Sequence, residues 1–353
     1  MRLQHHDLVS LATRVLTAAG ARPVDAAVVA EDLCGSNLRG HDSHGVMRLV
    51  QYAGFIADGF VDPAAEPAVI IDRPALAVID GKSAFGQVAA RFALCVAIEK
   101  ATQCGTASVW VRNTNHVGRL GGITEAAAEA GFAAVMAVNL PGPGQVTPAG
   151  GRTRRMGTNP ISVASPGSSD GTAPPVVVDM TTSATAEGKL RVASQSGLPV
   201  PTGMIIDSDG QPTTDPADFY RDNAGCILPL GGPLEHKGYA LGVSVDVLAG
   251  ILSGAGVART DLPRGANGVY LTLSDVSTLM PPDDYDRWMI EHRRHLTSAT
   301  PRRDGDVVCL PGDVERATLA QRSVEGVRLP VETWRQIREL AERLGVNLSD
   351  IGG

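Results

Sequence analysis

Apolar residues recur at helical spacing at the start of the chain. Leu8, Leu11, Ala12, Val15, Leu16 and Ala19 fall on one face, and Gly20 stops the run. The pattern predicts an amphipathic helix here and a second from about Pro23 to Leu38, with its proline in the first turn and Gly40 just beyond the end. From about residue 68 the pattern changes to short runs rich in β-branched residues: PALAVIDG, ASVWVRN, AAVMAVNL, PVVVDM and VYLTLS. Bounded by Gly, Pro, Asn or Asp, these read as strands. Helical stretches near 88–104, 120–130 and 237–254 lie between them and make the middle of the chain a mixed domain. Residues 141–172, with PGPG, PAGG and PGSSDG, have the composition of long surface or active-site loops. After about residue 283 helical spacing returns, and Trp334, Ile337, Leu340, Ala341 and Leu344 form one face. The helices at the two ends are expected to pack as one lobe, dividing the chain into 1–67, 68–282 and 283–353.

Composition narrows the class. A chain of 353 residues with 43% hydrophobic and 4% aromatic residues reads as a soluble two-lobed protein built from small side chains. Net charge is −7 with acids and bases interspersed, so the clustered positive field needed to bind nucleic acid is missing. The basic knots GRTRR and EHRRHL are short and read as solvated faces. Five cysteines are scattered without a C-x-x-C pair, which fits reduced thiols in a cytoplasm. The first twenty residues carry polar groups through their apolar positions, unlike a secretory leader. Only YALGVSVDVLAGILSGAGV, 239–257, tempts a membrane reading, and Asp246 with its neighbouring glycines argues instead for a helix buried in protein.

Candidate chemistry concentrates in GHDSHGVMRL, residues 40–49, which begins where the second helix ends. His44 can shuttle a proton near neutral pH. If the segment is helical, Arg48 lies on the same face, where a guanidinium could hold a substrate carboxylate. His116 follows the strand ASVWVRN, and Asp179 ends the strand PVVVDM, so both stand where loops present side chains to a cleft. A metal site on His41, His44 and His116 competes, but the pair H-x-x-H lacks the general base at fixed spacing that hydrolytic zinc sites carry. No G-x-S-x-G elbow is present. The dinucleotide fingerprint is missing too, since GPGQVT and GAGVAR lack its third glycine. The residues alone therefore give an enzyme with an imidazole and arginine cleft and leave the cofactor open.

Seven blocks in order carry a resemblance across nearly the whole chain. They are LRGHDSHGVMRLVQY, VRNTNHVGRLGG, GGRTRRMGTNPISVASP, VVDMTTSATAEGKL, GQPTTDP, LPLGGPLEHKGYALGVSVDVLAGILSGA and LPGD. The sequence resembles the type 2 malate/L-lactate dehydrogenases, NAD(P)-dependent oxidoreductases that do not use the Rossmann fold. The resemblance implies an α/β fold with a largely antiparallel central sheet in the cofactor domain, a helical lobe built from both chain ends, and a homodimer. It implies His44 as principal acid/base with Ser43 and Asp179 as hydrogen-bond partners, and keeps His116 as a second candidate for that role. Arg48, Thr158 and Asn159 would bind the carboxylate of a small-molecule substrate. Cofactor contacts, to NAD or NADP, would come from Asp179, Met180, Thr181, Thr182 and Ser183, from His236 and Lys237, and from Pro311, Gly312 and Asp313. The implied reaction is hydride transfer between nicotinamide and C2 of a 2-oxo or 2-hydroxy acid, or of a cyclic 2-imino acid with the same geometry.

Overall fold

The computed structural model describes residues 1–259, 265–348 and 351. The chain opens with β1 (Arg2–Leu3), α1 (His5–Ala18), α2 (Pro23–Leu38) and, after a 3-10 turn at Asp42–His44, α3 (Arg48–Ala57). Then come β2 (Ala68–Arg73), β3 (Leu76–Asp80), α4 (Gly86–Cys104), β4 (Thr106–Thr114), α5 (Gly121–Glu129) and β5 (Phe132–Asn139). Next are β6 (Ile161–Ser165), β7 (Val176–Met180), α6 (Glu187–Gln195), β8 (Ile205–Ile206), β9 (Pro212–Thr213) and β10 (Cys226–Ile227). They are followed by α7 (Glu235–Val245), a π-helical turn (Asp246–Ile251), β11 (Asn267–Asp275) and α8 (Val276–Leu279). The remainder is α9 (Pro282–Thr297), α10 (Asp313–Glu325), β12 (Val327–Arg328) and α11 (Val331–Arg343).

Both chain ends build one helical core. Leu8, Leu11, Leu16, Leu33 and Leu49 from α1–α3 pack with Val327, Ile337 and Leu340, and β1 pairs with β12. Each fully buried leucine contributes about 1.5–3 kcal/mol. The second core belongs to a seven-stranded sheet in the order β2-β3-β4-β11-β5-β6-β7, antiparallel except where α4 carries β3 over to a parallel β4. α4 and α5 cover one face with small residues such as Ala89, Ala93, Ala97 and Ala127. Val245 and Ala249 lie on Ala137 on the opposite face. A small third core forms around the three-stranded sheet β10-β8-β9.

Alternating strand direction has a direct consequence for the site. The ends of β4, β5 and β7 and the starts of β6 and β11 all lie at one edge of the sheet, so five strand termini converge there.

Several elements differ from the sequence expectation. The supposed loop 141–172 contains β6, whose five residues are hidden between turn formers. β2 lies at the sheet margin with most of its side chains outside, so no buried alternation marks it. The basic stretch before MGTNP is partly structural: Arg154 donates to the carbonyls of Gly225 (2.8 Å) and Phe219 (2.5 Å) and lies over the Phe219 ring. The segment 239–257 is buried on one face only, because Val247, Leu248, Ile251 and Leu252 are exposed. Among the described residues no helix is long and apolar enough to cross a membrane.

Candidate active site

A cavity of about 350 Å³ opens at the convergent sheet edge. Its floor comes from the loop that enters α5, with His116, Gly118 and Arg119; its sides come from the 41–44 turn and from residues 179–186 between β7 and α6. Val138, Leu140, Pro160 and Leu230 supply apolar wall.

The 41–44 turn is built by three pins. Asn37, at the end of α2, accepts from Val46 N (2.9 Å) and donates to Asp42 Oδ1 (2.6 Å). Arg322 of α10 grips both Asp42 oxygens at 2.8 and 3.1 Å and also the Asn37 carbonyl. Gly45 must be glycine, since a Cβ there would come within 2.4 Å of the whole Asn37 amide. The expected helical face linking His44 and Arg48 does not form, because Gly45 is extended and separates the turn from α3. Arg48 instead folds back: Nε donates to Ser43 O (2.7 Å) and Nη1 to Gln51 Oε1 (2.5 Å). Its Nη2 makes no hydrogen bond among the described residues and packs toward Gly188 of α6.

His44 and His116 meet across the cavity with ring centroids 5.7 Å apart and planes within 11° of parallel. Ser43 Oγ lies 3.1 Å from His44 Nδ1. Tyr52 Oη lies 2.8 Å from His116 Nδ1 and accepts from Gln87 Nε2 at 2.7 Å. Enclosure, helped by the positive charge of Arg48, pushes His44 down to about 3 and His116 well below its ordinary value. Both imidazoles are therefore neutral at pH 7 and able to exchange a proton with a ligand without a standing charge.

Asp179 lines the cavity but its partners are Gly121 N (2.7 Å) and Arg119 Nε (3.9 Å), and no hydrogen bond joins it to His44. Burial raises it, opposed by the Gly121 amide at the start of α5 and by Arg119. Arg119 is itself paired with Glu125. Met180, Thr181, Ser183 and Thr158 also line the cavity. Thr182 is tied back to the Thr158 carbonyl. Asn159 is fully buried, stands at φ +42°, and donates to Gly242 O (3.0 Å), so its side chain serves the packing of α7 and does not line the cavity.

The outer candidates lie elsewhere. His236 and Lys237 are exposed on the first turn of α7 and do not line this cavity. The glycines around them answer to backbone geometry: Gly231 has φ +126°, and a Cβ on Gly238 would sit 2.2 Å from Leu230 O. Pro311, Gly312 and Asp313 dock α10 on β7, with Val177 N donating to Pro311 O (3.1 Å) and Asp313 held by Arg293 and Arg316. Lys189 of α6 does line the cavity, whereas Arg191 is paired with Glu187 at 2.9 Å.

The metal alternative is corrected by this geometry. Among the described residues no group of three or more His, Cys, Asp or Glu side chains could hold a metal ion. His41 turns to Glu315 of α10 (3.4 Å), and the other two rings stand parallel instead of converging on a point.

Sequence reading did not single out Tyr52, Gln87, Asn37, Asn267 or Arg322. The available signals were an isolated phenol four residues after Arg48 and an amide in the first turn of the alanine-rich α4.

Comparison with known proteins follows the same lines. The family model for malate/L-lactate dehydrogenase matches residues 3–338. The chain is 37% identical over 338 residues to an L-lactate dehydrogenase from Cupriavidus necator, covering 94% of this chain and 95% of that one. It superposes on sulfolactate dehydrogenase from Methanocaldococcus jannaschii with a TM-score of 0.87 at 30% identity, covering 99% of each chain. A similar likeness, TM-score 0.84 at 29% identity over 97% of this chain and 100% of the other, holds for delta1-piperideine-2-carboxylate reductase from Pseudomonas syringae pvar. tomato.

Proposed function

This chain belongs to the malate/L-lactate dehydrogenase family, and from that premise we propose that it is an NAD(P)-dependent oxidoreductase acting at C2 of a small 2-oxo or 2-hydroxy acid. The observation that carries the reading is the pair of parallel neutral imidazoles across one cavity, with Lys189 on its wall.

The residues suit a nicotinamide. Thr185 Oγ1 lines the cavity, is buried and has no hydrogen-bond partner among the described residues, so it is open to a polar ligand group. The apolar wall of Val138, Leu140 and Pro160 offers a dry surface for a flat ring. Met180, Thr181 and Ser183 would hold the cofactor, which supplies the hydride when bound. Neutral His44 takes the proton from the C2 hydroxyl as a 2-hydroxy acid is oxidised and, once protonated, returns it when a 2-oxo acid is reduced, with Ser43 orienting its ring. Arg48 is buried outside the cavity lining and steadies the turn through Ser43 O, which leaves Lys189 as the cation on the cavity wall to meet the substrate carboxylate.

We assign the exposed apolar face Val247, Leu248, Ile251 and Leu252 to contact with a second copy of the chain, in a cytoplasmic homodimer. Sedimentation of Ile251→Glu as a monomer would support this, and an unchanged sedimentation coefficient would remove it.

The functional test is the absorbance of reduced nicotinamide while the protein meets NADH or NADPH with pyruvate, oxaloacetate, sulfopyruvate or a cyclic imino acid. Decay with a 2-oxo acid supports the reading. Decay with the imino acid alone moves the substrate class, and no decay with any pair rejects the assignment.

A further inference from the structure

Two hydrogen bonds lie behind His116. Gln87 Nε2 donates to Tyr52 Oη (2.7 Å), and the same oxygen lies 2.8 Å from His116 Nδ1. A phenol has one proton. With the amide donating to its oxygen and no other acceptor bonded to Oη among the described residues, the buried O–H is satisfied only by the imidazole, which makes Nδ1 the acceptor. The neutral ring then carries its hydrogen on Nε2, the nitrogen that makes no hydrogen bond to the described residues.

The orientation of the amide has its own physical cause. Asp32 Oδ2 and Gln87 Nε2 crowd the same spot beside Gly118, at 2.7 and 3.1 Å from where a Cβ would sit. Gln87 Oε1 and Asp32 Oδ2 are both buried without a hydrogen-bond partner among the described residues, and with Asp32 ionised, above its burial-raised value of about 7, reversing the amide would turn its oxygen toward the carboxylate. Gly118, at φ +87°, is the residue that leaves room for this approach. Gln87 and Tyr52 are each 1% exposed, so water does not compete for the chain.

We propose that Gln87 is a positioning residue that, through Tyr52, holds His116 as the Nε2–H tautomer and so makes it the hydrogen-bond donor to the substrate's C2 oxygen. His44 then exchanges the proton while His116 polarises the same bond, a division of labour between the two rings. The inference rests on the reading of the cavity as the site of C2 reduction, but its tautomer component is measurable without turnover.

The experiment is a two-bond proton–nitrogen spectrum of the full-length protein with ¹⁵N-labelled histidine, with His116 assigned by His116→Gln. The expected wild-type spectrum shows Nδ1 unprotonated and Nε2 protonated. Gln87→Glu at alkaline pH places an acceptor against Tyr52, draws the phenol proton away and is expected to invert the tautomer. Gln87→Met removes the donor and is expected to give a mixture. In both, kcat should fall by about 10-fold to 10²-fold with the nucleotide KM unchanged. An Nδ1–H signal in the wild type overturns the proposal even if neither variant folds. An unchanged tautomer in a folded Gln87→Glu also overturns it, as does unchanged kcat in both folded variants. If the tautomers behave as expected but the wild type turns over no 2-oxo or imino acid, the donor role falls with the reaction, while the tautomer chain is upheld.

Discussion

The two loops that carry His44 and His116 solve one problem by two routes. Each must hold a backbone amide away from regular structure, and each borrows a distant asparagine: Asn37 Oδ1 accepts from Val46 N and Asn267 Oδ1 from Val117 N, both at 2.9 Å. They part company in how the ring is held and the loop is anchored. His44 leans on its chain neighbour Ser43, and its loop is tied by the part-exposed Arg322–Asp42 ion pair. His116 is held through a buried neutral chain from α3 and α4. One loop is held by charge near solvent and the other by amides and a phenol in the interior, so they should respond differently to salt and to side-chain loss.

The largest effect expected is chemical. His44→Ala should lower kcat by 10²–10⁴-fold while nucleotide binding is retained; a variant keeping more than about a tenth of the activity would transfer the acid/base role away from His44. Packing changes come next. Gly45→Ala drives a Cβ into the Asn37 amide and Gly118→Ala into Asp32 Oδ2 at positive φ, so thermal unfolding should show each losing at least ~1–3 kcal/mol. Asn37→Ala and Asn267→Ala should each cost about 1–3 kcal/mol, because a backbone N–H is left without its partner. Equal losses would show that the two amide supports are equivalent despite their different surroundings.

Acid sharpens the comparison in a third way. Both imidazoles have folded values below their unfolded ones, so the unfolded chain binds more protons below about pH 6.5. Their contribution to stability is complete above that value and declines as pH falls toward about 3, the folded value of His44. The slope reaches ~1.4 kcal/mol per pH unit for each ring. Denaturant melts of His44→Gln should show a flatter decline; an identical slope would show that this ring is not held neutral by its enclosure. The smallest effect is Arg322→Ala, worth about 1 kcal/mol or less for a part-exposed pair. High salt should reproduce much of it in the 41–44 turn and leave the His116 loop untouched.

What the sequence disclosed follows the distance over which each feature is made. α2 runs from Pro23 to Leu38 as the proline and glycine signals indicated, because caps act within a turn. The proximity of Ser43 to His44 was legible for the same reason. Tyr52 and His116 stand 64 positions apart, Arg322 and Asp42 280, and no local periodicity reports such pairs. Asn159 bonds the carbonyl of Gly242 on a neighbouring helix, a pairing across 83 positions that its glycine-rich turn does not announce. The three-stranded sheet escaped notice since strands of two residues have no period to detect. The placement of Asp179 beside Gly121 depends on β7 and α5 meeting at the sheet edge, which required the strand order.

The clamp of Arg322 on Asp42, together with the pairing of β1 with β12, gives the order of synthesis a role. A ribosome exposes both histidines long before it exposes the residues that fasten the first of them. During that interval the nascent chain holds its chemical groups without the hold on the 41–44 turn. Polypeptides ended by a premature stop before residue 322 lack not only the clamp but also β12 and α11 of the helical core, and are therefore expected to be inert and readily degraded.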